Sequence, residues 1–263
     1  MDLLIKDKSF LVAGGTGGMG LAAAKALAAE GASVAVVGRD AVRAEAAAVE
    51  VIAAGASSAH ALVFDVSAEG GAAAAIAAAV ELFGGLDGVA VTTGLIGHEP
   101  IEISDDRWIE VFRDVMLGTA RTVEAALPHL VASRGTIVTT AAYSIRAPEI
   151  ARLPYASMKS AVATFTKGIA KAYGPNGVRA NCVAPGAIET SALTAIRKQV
   201  SEAKGIPYGE ALERVMIEEW GLDNALHRPG KPEEVGALIA FLLSPVAGYM
   251  TGTLLNIDGG TNF

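Results

Sequence analysis

Short β-branched runs alternate with alanine-rich helical stretches along almost the whole chain, and that alternation constrains the fold more than any single residue does. It predicts strands at 9–13, 33–37, 61–64, 88–92, 136–140, 179–183 and 253–257. Between them it predicts helices at 19–30, 41–54, 71–83, 105–132, 155–173 and 233–243. Strand, helix, strand repeated in this way implies parallel strands joined by right-handed crossovers, with helices covering both faces. Several strands are apolar right through, as a sheet buried on both sides demands. The expected fold class is therefore α/β, a doubly wound parallel sheet. Ser104 before Asp105 and Asp106 reads as a capped helix start, with acids at the positive end of the dipole. Gly174-Pro175 reads as the stop of the helix at 155–173. No linker, charge block or repeat divides the chain. Residues 1–263 read as one domain, with an insertion at about 187–232 over the open end of the sheet.

The 263 residues are 52% hydrophobic and 19% charged, enough apolar material for one sizeable core and too much for a disordered chain. A net charge of −7 argues against nucleic acid or an anionic membrane as partner, because both favour basic surfaces. Residues 1–10 carry Asp2, Lys6, Asp7 and Lys8 among apolar neighbours and read as the lead-in to a strand rather than a signal peptide. The apolar stretch at 71–80 falls well short of the roughly 20 residues that span a bilayer. Cys182 is the only cysteine, which excludes an internal disulfide and a cysteine-based zinc site. The expected protein is soluble and cytoplasmic. His60, His98, His129 and His227 are scattered without metal-ligand spacing, and no metal site is expected.

After the first strand the chain reads Ala13-Gly14-Gly15-Thr16-Gly17-Gly18-Met19-Gly20, and a helix follows at once. Glycines at 14, 18 and 20 let the chain turn tightly and bare its N–H groups, and the helix start favours an anion such as a pyrophosphate. The alternative is a flexible glycine loop without a ligand; the position between strand and helix favours dinucleotide binding. The second strand ends in Val36-Val37-Gly38-Arg39-Asp40. Gly38 occupies the place where NAD-binding folds usually put an acid on the ribose diol, and Arg39 supplies a guanidinium suited to a 2′-phosphate. This favours NADP over NAD, the alternatives being a solvated Arg39 and an Asp40 displaced onto the ribose. Asp65-Val66, at the end of the third strand, is placed to line an adenine pocket.

Tyr155 and Lys159 are four residues apart at the head of a helix and so share one face. A tyrosine hydroxyl titrates near 10, and a neighbouring ammonium that stabilises the phenolate would bring it toward the working range. Alone, the pair reads equally as a core tyrosine and a surface lysine. The glycine turn, Asp65-Val66, Tyr155/Lys159, Asn181-Cys182-Val183-Ala184-Pro185-Gly186 and Asp258-Gly259-Gly260 nevertheless follow in one order with one spacing. In this the whole chain resembles the short-chain dehydrogenase/reductase family. The resemblance implies a Rossmann-type single domain, a nicotinamide dinucleotide and a homotetramer. It implies that Tyr155 exchanges a proton with a carbonyl or alcohol, and that Lys159 binds the nicotinamide ribose and lowers the tyrosine pKa. Thr16 and Met19 of the turn, and Gly94, join the cofactor site. Pro185, Gly186, Ile188 and Thr190 match the segment that holds the nicotinamide, Thr190 reaching its carboxamide.

The chain departs from the family pattern in three places. The catalytic serine, thirteen residues before Tyr155, is Ala142; Ser144 would replace it only if the loop shifts by two residues, and Thr140 and Tyr143 are other hydroxyls nearby. The asparagine of the long helix falls near Val115, and the usual Asn-Asn-Ala-Gly is Val91-Thr92-Thr93-Gly94. The expected function is an NADP-dependent oxidoreductase interconverting a ketone and a secondary alcohol. The alternative is a dinucleotide-binding module of decayed chemistry with a regulatory or structural role. The substrate pocket is expected from 92–100, 142–153 and 190–226, where Leu95, Ile96, Ile145 and Leu153 favour a hydrophobic or cyclic carbonyl compound. Arg146 and Arg152 keep an acidic or acyl-carrier substrate open. The acidic run at 213–219, followed by Trp220, reads as a solvated helix face or part of a lid.

Overall fold

Period-two alternation sorts the side chains of the first strand onto two faces. In a computed structural model that describes residues 2–94 and 101–261, β1 (Ser9–Ala13) sends Phe10 and Val12 to one side and Leu11 and Ala13 to the other. All four are buried, so both faces need a cover. β2 (Ser33–Gly38), β3 (Ser58–Val63), β4 (Gly88–Val91), β5 (Thr136–Thr140), β6 (Arg179–Pro185) and β7 (Leu254–Ile257) complete one sheet. Every pairing is parallel, in the order β3-β2-β1-β4-β5-β6-β7. The sequence reading of β3 began too late: polar Ser58 and His60 fit an edge strand whose residues are only half-buried.

On one face lie α1 (Gly18–Ala29), α2 (Ala41–Ala53) and α9 (Pro232–Leu243), packed on Phe10, Val12, Val34 and Val36. On the other lie α3 (Gly71–Phe83), α5 (Gly118–Ser133) and α6 (Leu153–Tyr173), packed on Leu11, Val37, Val89 and Ile137. The helix expected at 105–132 is not uniform. α4 (Asp105–Val111), capped by Ser104, runs into a π-helical segment, Phe112–Leu117, before α5 begins. The helix expected from Tyr155 starts at Leu153, because Pro154 in the first turn has no N–H to waste there. The stretch at 187–232 contains α7 (Ser191–Lys204) and α8 (Tyr208–Glu218), whose Leu193, Leu212 and Met216 form a small apolar cluster with Tyr143 and Leu222. The expected pocket residues 95–100, with Leu95, Ile96 and His98, lie outside the described residues.

Alanine and glycine let α1 and α9 approach backbone to backbone. A Cβ built on Gly236 would stand 2.5 Å from the Ala22 carbonyl carbon, with no flexible side chain to yield. Gly236→Ala should therefore destabilise the fold by about 1–3 kcal/mol through overpacking, more than the ~1 kcal/mol alanine gains within a helix. A urea unfolding midpoint equal to or above that of the unaltered protein would refute this.

Candidate functional site

β1 and β4 are neighbours at the point where the strand order reverses, and their crossovers leave in opposite directions. The crevice so opened lies beyond the carboxyl ends of the strands, which is where the glycine turn sits. Gly14 has φ +82°, and a Cβ there would come 2.7 Å from Thr92 Oγ1. The turn is fixed by Gly14 N–H donating to the Val37 carbonyl at 2.9 Å and by the Thr92 hydroxyl donating to the Ala13 carbonyl at 2.9 Å. Gly20 packs so tightly on the Gly14 carbonyl that any side chain would collide with it. α1 starts without a side-chain cap. An uncapped helix start at a glycine turn is a cradle that fits a pyrophosphate.

A groove of about 410 Å³ runs from this turn past the ends of β2 and β3, lined by Gly14, Thr16, Arg39, Arg43, Asp65 and Val66. Gly38 carries no acid, and a Cβ there would crowd the Thr16 side chain, 2.5 Å from its Cγ2. Asp40 lines the same groove and also caps α2, its Oδ1 accepting the Arg43 N–H at 2.9 Å. Arg39 is exposed at the rim, and Arg43 Nη2 lies 2.8 Å from where a Gly17 Cβ would stand. Arg43 went unremarked in the sequence, although Arg39-x-x-x-Arg43 across a helix start was its signal. The Asp65 carboxylate accepts the Ser67 amide and hydroxyl at 2.9 and 2.7 Å. Burial works against its charge, but those bonds and the Arg39 guanidinium hold its carboxyl below the ordinary value.

Thr92, Thr93 and Gly94 line this groove and also a second cavity of about 350 Å³, so the two adjoin. The second cavity brings together Tyr155 and Lys159 of α6, Met19, and Pro185, Gly186, Ile188 and Thr190 from the chain after β6. Gly18 and Gly20 line neither; Gly18 faces Thr190 instead, its notional Cβ 3.1 Å from Thr190 Cγ2. Lys159 is 2% exposed, and its Nζ donates to the carbonyls of Thr93 at 3.1 Å and Thr140 at 2.9 Å. It sits 5.6 Å from the Tyr155 ring centroid. Gly94 leaves it room, since a Cβ there would lie 2.9 Å from Nζ. Burial drives the ammonium down to about 8. Burial likewise pushes the Tyr155 hydroxyl up to about 12 rather than down as expected from Lys159, and the cation that pulls against burial is the nearby Arg152 guanidinium. Val115 is fully buried in the π-helical segment among Val111, Ala141, Val162 and Cys182, so an apolar side chain fills the place of the family asparagine.

The acidic run of α8 is not simply a solvated face. Glu213 turns inward to Arg197 of α7, which is 5% exposed and also grips Glu189 between Ile188 and Thr190. The guanidinium meets Glu189 at 2.6 and 2.8 Å, Glu213 at 2.7 and 2.8 Å, and the Tyr208 carbonyl at 3.1 Å. Trp220 and Leu222, just beyond α8, join Leu193 and Ile196 as the apolar wall of the cavity. Sequence spacing carries no sign of this clamp.

A family model described as Enoyl-(Acyl carrier protein) reductase matches residues 13–262. The short-chain reductase protein NovJ of Streptomyces niveus is 31% identical over 263 residues, covering 98% of this chain and 96% of that protein. The crystal structure of L-sorbose reductase from Gluconobacter frateurii, complexed with NADPH and L-sorbose, is similar with a TM-score of 0.91 at 27% identity, over 99% of this chain and 98% of that one. A structure of actinorhodin polyketide ketoreductase with NADPH gives 0.85 at 27% identity, over 96% of each chain.

Proposed function

The chain belongs to the short-chain dehydrogenase/reductase family of NAD(P)-dependent oxidoreductases, and on that footing we propose that it interconverts a ketone and a secondary alcohol with NADP. The observation that carries the reading is the convergence of Tyr155, Lys159 and the chain after β6 in one cavity that shares Thr92, Thr93 and Gly94 with the glycine-turn groove. Bound there, the reduced nicotinamide supplies a hydride to the carbonyl carbon. Tyr155 gives its hydroxyl proton to the carbonyl oxygen, and takes it back when the reaction runs toward the ketone. Lys159 has three N–H donors as an ammonium; two are held by Thr93 and Thr140, which leaves one for the ribose. Its charge favours the phenolate that Tyr155 becomes. Ile188, Leu193, Ile196, Trp220 and Leu222 suit an apolar or cyclic carbonyl compound.

NADP is favoured because Gly38 offers no ribose-binding acid at the end of β2, while Arg39 and Arg43 both line the groove. Losing a charge-assisted hydrogen bond to the 2′-phosphate, Arg39→Ala and Arg43→Ala should each weaken NADPH binding roughly 10–100-fold and leave NADH nearly unaffected. Titration of nicotinamide fluorescence checks this; equal losses for both cofactors would overturn the assignment. The oxidoreductase reading itself is tested by NADPH consumption over a panel of ketones. Ala142 and the buried Val115 favour a second reading, a dinucleotide-binding module without turnover. Tight NADPH binding with no consumption on the whole panel would decide for it.

A further inference from the structure

The loop after β5 has alanine where the family resemblance implies serine, yet the same wall of the cavity holds another hydroxyl. Ala142 and Ser144 both line the cavity shared by Tyr155 and Lys159. Ser144 is 1% exposed, and its Oγ is buried with no hydrogen-bond partner among the described residues. Interiors rarely leave a hydroxyl unpaired, because burying it so is unfavourable. An orphan in the wall of a ligand cavity points to a partner that arrives with the ligand.

Tyr143 Oη is engaged, 3.4 Å from Glu149 Oε1 and 3.5 Å from Arg152 Nη1. The Thr93 and Thr140 hydroxyls of the same cavity are also buried without a partner among the described residues, so position rather than orphan status separates Ser144 from them. Both threonines give their carbonyls to Lys159 and stand on the lysine's side of the site, whereas Ser144 lies in the loop beyond β5. Ser144 follows Tyr143, which is close enough to Tyr155 to push that hydroxyl's pKa upward. The backbone supplies the displacement such a role needs. Ala142 is extended, and the chain then coils at once into a 3₁₀ turn, Tyr143–Ile145, that presents Ser144 two residues further on.

We infer that Ser144 is the second hydroxyl of the site, donating its Oγ–H to the substrate carbonyl oxygen beside Tyr155. This rests on the oxidoreductase reading above. No bond to Ser144 forms or breaks: the hydride and its electron pair come from the reduced nicotinamide, and the proton comes from Tyr155. The Ser144 hydrogen bond strengthens as negative charge builds on the oxygen, which is what makes it catalytic rather than merely binding.

Two measurements test it. With NADPH and a panel of apolar ketones that includes cyclohexanone, Ser144→Ala should lose roughly 10²-fold in kcat, and Thr140→Val should lose less. The double variant Ser144→Ala/Ala142→Ser should regain at least roughly tenfold, since it restores a donor in the same wall. Infrared difference spectra of isotope-labelled cyclohexanone, held with oxidised NADP so that no hydride is available, read the contact without turnover. The carbonyl band should lie lower in the unaltered protein than in Ser144→Ala. An unchanged kcat, an unchanged band, a band at its free-solution position in the unaltered protein, or a greater loss in Thr140→Val overturns the role. A panel without turnover, but with the band moved by Ser144→Ala, would sink the reductase reading and leave the contact standing.

Discussion

Tyr155→Phe is expected to lower kcat for ketone reduction by roughly 10²–10⁴-fold, the range a positioned acid contributes, while NADPH still binds. Only the hydroxyl is lost; the ring keeps its packing beside Val162 and Cys182, so the fold should not suffer. The pH profile of the unaltered enzyme carries a second signature of the pair. With the ketone saturating, kcat/KM for NADPH follows ionisations of the cofactor-free enzyme. In the cofactor-free protein Tyr155 sits at about 12 and Lys159 at about 8, both displaced by burial. Reduction needs Tyr155 protonated, which holds throughout the accessible range, and Lys159 charged, which holds only on the acid side of its own value. The profile should therefore be level below the lysine value and fall about tenfold per pH unit above it. A rate that rises with pH through that region, or a phenylalanine variant within about tenfold of the unaltered enzyme, would contradict the assignment.

Arg197→Met should destabilise the fold by about 3–5 kcal/mol, as expected when one partner of a buried ion pair is removed. The guanidinium makes two bonds to each of Glu189 and Glu213, and without it two carboxylates would share one half-buried space. The effect should shrink in acid. Burial alone would raise the Glu213 carboxyl, but the Arg197 hydrogen bonds and charge outweigh it and hold the folded value below the ordinary one. A depressed folded value means stabilisation that is present above the ordinary carboxylate range and lost as pH falls through the folded value. Urea titrations of both proteins at neutral and at acid pH measure this, and a gap that stays constant or widens in acid would exclude the clamp as its cause.

Much of the architecture was readable before any coordinates. Valine-rich strands alternating with alanine helices have one economical arrangement, and the boundaries at β1, α3 and β5 fall where the alternation puts them. Glycines at 14 and 20 were legible because a turn against Thr92 tolerates nothing larger. The misses share one physical cause. Ser58 and His60 look unlike strand residues until the strand is known to be an edge, and the π-helical segment around Val115 leaves no trace in local propensity. Arg197 looks like any charged helix residue until Glu189 and Glu213 are brought to it from either side. Local pattern reports what the backbone does; these three depend on which segments meet. Ser144 stood out in the sequence as the serine nearest the alanine at 142, but only the structure shows its buried hydroxyl in the cavity wall.

The bare contact between α1 and α9 also bears on how relatives of this chain can diverge. With Gly236 set against the Ala22 backbone, neither helix face has room to accept a larger residue by itself. Substitutions there should therefore be inherited in pairs or accompanied by a displaced α1, and α1 begins at the glycine turn. Drift at position 236 is thus filtered by what it does to a phosphate cradle it never touches. Across homologues, the residues at 22, 23 and 236 should vary together, although the two helices stand near opposite ends of the chain.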